Sequence, residues 1–185
     1  MANKVKFGLK NVKIAPITAT TPAYTYDTVF ALPGAVNLST DASGDEETFY
    51  ADDVAYYVTY GNQGYNGTLE IADINEDFKT KILGWTVDAN GALLEKADDI
   101  ITPFAMGFEI SGDVAGRRCW LYNCTVSRPG TNAATNEATK TPQTDTLNIA
   151  ISPRSTDQAV KIVMEETNSN TAKYAAFFST VYEAE

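Results

Sequence analysis

From Val54 to Tyr60 the chain reads Val-Ala-Tyr-Tyr-Val-Thr-Tyr, with Val54, Tyr56, Val58 and Tyr60 alternating with Ala55, Tyr57 and Thr59. Successive side chains of a strand point to opposite faces, so this run predicts a strand with apolar groups on both sides. Gly61-Asn62-Gln63-Gly64 supplies a turn, and Tyr65, Gly67, Leu69 and Ile71 line one face of a return strand. Val54 to Ile71 therefore reads as a β-hairpin whose two faces are both partly apolar.

The same period recurs along the chain. Val5, Phe7 and Leu9 alternate with Lys4, Lys6 and Lys10, then the phase slips to Val12 and Ile14, which predicts an extended amino-terminal segment with a bulge near Lys10-Asn11. Thr18 to Asp27 reads as a loop leading to a further extended piece ending at Leu32, then a turn at Pro33-Gly34 and a short strand at Ala35 to Leu38. Phe104, Met106, Phe108 and Ile110 line one face of a strand that turns at residues 112–116. On its partner, Trp120, Tyr122, Cys124 and Val126 are expected to share a face, with Cys119 and Cys124 on opposite faces and not bridged. Leu147, Ile149 and Ile151 alternate in the next strand, and Val160 to Met164 forms the last.

Two segments carry helix signals. Asn75 caps a short helix with acids in its first turn, lysines late and Gly84 as its stop. A closing helix starts at Asn168 or Asn170, with Tyr174, Phe177, Phe178 and Val181 at helical spacing. Between the helices, Asn90-Gly91 marks a small hairpin within Val87 to Leu94.

The expected fold class is thus mainly β: a β-sandwich with one flanking short helix, a long hairpin loop, extended terminal arms and a C-terminal helix. A chain of 185 residues suits a single domain spanning 1–185. Within it, 1–32 forms an N-terminal arm and the first extended segments, 39–49 a long acidic loop, 128–142 a mobile loop and 168–185 the C-terminal segment. No apolar signal core and no long apolar run appears, so the protein is expected to be soluble and made in a reducing cytoplasm.

Charge and residue inventory narrow the chemistry. Lys+Arg number 14 against 24 Asp+Glu, a net charge of -10 that opposes tight binding to nucleic-acid phosphates. Histidine, the usual proton shuttle and metal ligand, is absent, so no Ser-His or Cys-His pair exists. Carboxylate-only hydrolysis would need a pair such as Asp98 and Glu109 to converge; adjacent acids such as Asp52-Asp53 or Glu165-Glu166 more often form a solvated surface. The acids around Gly44 depart from the spacing of a calcium loop. Tyr50, Tyr56, Tyr57, Tyr60 and Tyr65 fit either cross-strand packing or a sugar-stacking platform. No enzyme, cofactor or metal site is expected. Features that suit association remain: the first thirteen residues carry Lys4, Lys6, Lys10 and Lys13 without an acid, whereas Asp41 to Asp53 carries six acids without a base.

Strings of residues in order give this inventory a family context. They run from Lys4-Val5-Lys6-Phe7-Gly8-Leu9-Lys10-Asn11-Val12 through Leu32-Pro33-Gly34-Ala35-Val36 and Phe49-Tyr50-Ala51-Asp52-Asp53-Val54-Ala55-Tyr56-Tyr57. They continue with Gly64-Tyr65-Asn66-Gly67-Thr68-Leu69-Glu70, Lys81-Ile82-Leu83-Gly84, Leu121-Tyr122-Asn123-Cys124-Thr125, Arg128-Pro129 and Pro142-Gln143-Thr144-Asp145-Thr146-Leu147. In this order the chain resembles the major tail proteins, or tail tube proteins, of long-tailed non-contractile phages that infect Gram-positive bacteria. The resemblance implies hexameric rings stacked into a tube through which DNA passes transiently. It also implies a tape measure protein, a tail terminator and baseplate or distal tail proteins as partners, and a place in the virion tail after synthesis in the host cytoplasm, with no membrane. Lys4, Lys6, Lys10, Asp45, Glu46, Glu47, Tyr57 and Tyr65 are the candidate inter-subunit contacts. The alternative is a β-sandwich binding module that recognises glycans or a cell surface.

Overall fold

The computed structural model describes residues 8–112, 116–135 and 142–184. In chain order the strands are β1 (Leu9–Ala19), β2 (Thr25–Tyr26), β3 (Phe30–Ala31), β4 (Ala35–Ser43), β5 (Glu46–Ala51), β6 (Val54–Tyr60) and β7 (Gly64–Ile71). After helix α1 (Glu76–Lys81) come β8 (Thr86–Val87), β9 (Leu93–Leu94), β10 (Phe104–Ile110), β11 (Arg117–Val126), β12 (Asp145–Ile151), β13 (Lys161–Glu165) and helix α2 (Thr171–Ala176). The mainly-β class and the two short helices are as the sequence predicts, but α2 ends at Ala176, so Phe177, Phe178 and Val181, expected at helical spacing, lie in turns beyond it.

The body is one antiparallel sheet in the order β2-β1-β10-β11-β12-β7-β4, with β3 added to β1 and β13 to β11. It curls until β4 approaches β1, so the two layers expected of a sandwich are parts of one sheet. Val12, Ile14, Leu69, Ile71, Phe104, Met106, Leu147, Ile149 and Ile151 fill the enclosed side, where α1 adds Phe78 and Ile82. A fully buried aliphatic or aromatic side chain contributes about 1.5–3 kcal/mol, so this row is the main source of stability. α1 starts where predicted: the Asn75 side chain accepts from the Phe78 amide at 3.1 Å, with Glu76 and Asp77 in the first turn.

The opposite face of the sheet is covered by the C-terminal segment. Trp120, Tyr122, Ala15 and Ala105 pack there against Phe177 and Val181. Three outward residues of β11 donate to backbone carbonyls along the C-terminal segment. Arg118 donates to the Tyr174 carbonyl, Trp120 Nε1 to that of Phe177 at 2.9 Å, and the Tyr122 hydroxyl to that of Tyr182 at 2.8 Å. The Arg118 guanidinium lies 4.0 Å from the Tyr174 ring centre. Buried Arg154 completes the attachment: it pairs with Asp157 and, at 2.7 Å, with Glu183, and lies 4.3 Å from the Tyr122 ring centre.

Two expectations about faces divide at bulges. The predicted slip near Lys10-Asn11 is present: the β1–β10 register shifts between Lys10 and Lys13, and Asn11 has φ 55. A second bulge was not legible. Phe104 pairs with Cys124 but Met106 with Leu121, so β11 carries one extra residue between them. Trp120 and Tyr122 therefore face α2, while Cys124 and Val126 turn to the enclosed core with Cys119 and Leu121. The two cysteines share a side instead of pointing apart, and both are free.

The larger departure from expectation lies at Val54–Tyr60. β6 pairs with β5, not with β7, in a separate two-stranded ribbon; β7 lies between β4 and β12. Residues 39–49, read as an acidic loop, are the end of β4 and the start of β5. The true turn is Asp52-Asp53, both at positive φ (50 and 60), the requirement of a two-residue type I′ hairpin that aspartate tolerates. Gly61 to Gly64 is instead the joint where the ribbon leaves the sheet. A Cβ on Gly44 would lie 1.6 Å from the Gly61 carbonyl, and one on Gly64 (φ 102) would lie 2.0 Å from that of Ile151. Gly64→Ala is therefore expected to destabilise the chain by about 2 kcal/mol or more, since strain and backbone collision act together. Denaturant unfolding checks this, and a change below about 0.5 kcal/mol would refute it.

Candidate assembly surface

The ribbon exposes what a core would normally hide. Glu46 opposes Tyr60, Thr48 opposes Val58 and Phe49 opposes Tyr57. Strand alternation places Tyr60, Val58 and Tyr50 on one face and Phe49 and Tyr57 on the other. The large β6 residues are 44–74% exposed, and Phe49 and Tyr50 are 62% and 67% exposed. A two-stranded ribbon is marginal in water without cover. Its internal polar contacts are few: the Tyr60 hydroxyl donates to Glu46 at 2.8 Å, which raises the phenol pKa, and Thr48 donates to the same carboxylate at 3.2 Å.

The predicted contact residues divide by location. Asp45, Glu46, Glu47 and Tyr57 are exposed on or beside the ribbon. Tyr65 is not with them; it packs against the enclosed core, and the Lys161 ammonium lies 4.4 Å from its ring centre. Lys4 and Lys6 fall outside the described residues. Lys10 is bound within its own subunit, 3.1 Å from Glu109.

Glu109 tests the hydrolase alternative. It is held by Lys10, by Asn11 Nδ2 at 3.1 Å and by Arg118 Nε at 3.2 Å on the α2 side of the sheet, while Asp98 is exposed in the segment before β10. Burial raises the Glu109 carboxyl, but hydrogen bonds from Asn11 and Lys10 and the charges of Lys10 and Arg118 outweigh it and hold the pKa low. Such a group is an ionised anchor, not a proton donor. Because the folded pKa is depressed, its contribution is complete above the usual carboxylate range near about pH 4.3 and is lost as pH falls through the lowered value. Glu109→Gln should therefore flatten the acid limb of stability against pH. An unchanged acid limb, measured by thermal melts from neutral pH downward, would count against this role.

Among the described residues no group of three or more His, Cys, Asp or Glu side chains could hold a metal ion. No helix of the described residues is long and apolar enough to cross a membrane. In the 128–142 segment, Arg128 Nη2 donates to the carbonyls of Lys96, Ala97 and Asp99, at 3.2, 3.1 and 3.4 Å; residues 136–141 lie outside the description. Sequence reading missed the three arginines that fasten loops and terminus, since a lone arginine carries no spacing signal.

A curled sheet that encloses most of its core yet holds out an exposed apolar ribbon is distinguished by that surface more than by a pocket. The family follows from comparison: the family model for phage tail tube protein matches residues 35–182, most of the chain, and the chain belongs to that family. A comparison with curated proteins finds no match. Among solved structures, the chain is similar to one in the cryo-EM structure of the anti-feeding prophage baseplate, 6-fold symmetrised. That similarity has a TM-score of 0.46 and 8% identity, covering 89% of this chain and 97% of that one.

Proposed function

We propose that the chain is the self-assembling subunit of a tail tube, forming hexameric rings that stack into the conduit for phage DNA. The exposed two-faced ribbon carries this reading: its aromatic faces are marginal in water unless covered, and among the described residues β6 pairs only with β5. A surface that engages a different patch on an identical copy makes closed rings or open stacks, which is the geometry of a tube. Net charge of -10 supports a conduit that duplex DNA passes without adhering. In the virion tail the neighbours would be further copies, a tape measure protein, a tail terminator and baseplate or distal tail proteins.

The ribbon residues Asp45, Glu46, Glu47 and Tyr57 are the contacts favoured by their exposure. Electron microscopy of purified protein at rising concentration should show rings or tubes. A strictly monomeric species, even with other tail components present, would refute the proposal. The glycan-binding alternative loses its platform, because the ribbon tyrosines are divided between two faces and Tyr65 belongs to the body.

A further inference from the structure

The sheet that carries the ribbon has a second incompletely covered surface at the same end. We propose that the apolar mouth formed by Phe108, Ile110, Cys119, Leu121 and Val163 is the seat of the β5–β6 ribbon of a second copy. This deepens the tube-subunit reading and rests on it.

The mouth is where the core runs out of cover. Phe104 and Met106 of β10 are fully buried, but Phe108 and Ile110, next along the same face, are only partly buried. On the neighbouring strands, Leu121 and Cys119 are buried and Val163 of β13 is 47% exposed. The resulting groove, about 460 Å³, opens between β10, β11, β13 and Thr40 of β4. The apolar row thus continues past the last residue that this chain itself covers.

Charge and backbone favour the ribbon as occupant. From Asp45 to Tyr60 the ribbon has five acids (Asp45, Glu46, Glu47, Asp52 and Asp53) and no base. The groove rim holds Lys161 and an Arg117–Glu165 pair at 2.9 Å, two cations against one anion. β13 pairs with β11 along one edge, and no strand among the described residues covers its other edge. The ribbon's outer edges are uncovered in the same sense, so the two can join by strand addition as well as by side-chain packing. A six-residue strand spans about 20 Å, long enough to cross the groove. Because seat and ribbon lie on one chain and differ from each other, the contact propagates from copy to copy.

Mixing two single variants, Val163→Cys and Tyr57→Cys, and oxidising under assembly conditions tests the seat. Because Cys119 is the direct cross-strand partner of Val163, both variants are made in a Cys119→Ser background, which removes the competing intrachain disulfide. An interchain disulfide that requires both variants is expected, with none when Val163→Cys is mixed with Ile100→Cys, a distant position 83% exposed. Independently, Lys161→Glu should raise the concentration needed for assembly about tenfold, roughly 1.4 kcal/mol, and Glu47→Lys in the same chain should recover part of it. Tubes that form without a disulfide between positions 163 and 57 and are indifferent to Lys161→Glu overturn the seat and leave the tube reading standing. Preferential linkage to Ile100→Cys also overturns the seat, and absence of assembly at any concentration overturns both.

Discussion

Replacing Phe49 and Tyr57 together by serine should abolish rings and tubes while changing the unfolding free energy by less than about 0.5 kcal/mol. The two side chains oppose each other on one face of the ribbon, 62% and 61% exposed, so folding gains little from them. In an interface they would be buried aromatic anchors, each worth about 2 kcal/mol or more. Losing both weakens a single contact by about a thousandfold, and a ring repeats that contact in every subunit. Electron microscopy and sedimentation report assembly, and denaturant titration reports folding. Tubes at the unmodified concentration would remove the ribbon from the interface; equal loss of stability and assembly would make it part of the folded body.

The second large effect is on folding. Trp120→Ala should cost about 3–5 kcal/mol. Trp120 is fully buried, donates to the Phe177 carbonyl at 2.9 Å and meets the Phe178 ring edge-on at 5.8 Å. Removing it leaves a cavity between sheet and C-terminal segment and a carbonyl without its donor. The fit is tight from the other side, since a Cβ on Gly107 would come within 3.0 Å of the Trp120 and Phe178 rings. Trp120→Phe should cost less, because it keeps most of the volume and loses the hydrogen bond. Denaturant unfolding with limited proteolysis of the C-terminal segment measures both; a loss below about 1 kcal/mol for the alanine variant would show that α2 contributes little.

How much was legible depends on the range of the physics involved. The Asn75 cap, the Asn90-Gly91 hairpin and the Lys10-Asn11 slip were readable because each is decided within a few residues. The Leu147, Ile149, Ile151 row was readable because burial on one face leaves a period-two record. The Asp52-Asp53 turn was obscured by stronger glycine signals nearby. Those glycines answer to another demand, the contact of Gly44 with Gly61 and of Gly64 with Ile151 where the ribbon departs. Of the candidate contacts, Asp45, Glu46, Glu47 and Tyr57 lie exposed on or beside the ribbon. Tyr65 does not, since alternation gives a side chain's face and not what covers that face.

By itself the sequence determined that Val54 to Tyr60 is a strand with apolar residues on both sides, that the chain is mainly β, and that helices close two of its segments. Only the tertiary structure decided that this strand pairs with Glu46–Ala51 and stands apart from the body, and that one extra residue in β11 turns Cys124 to the same side as Cys119. The reason is that periodicity is set by local backbone geometry, whereas pairing partner and register are set by packing between residues distant in the chain.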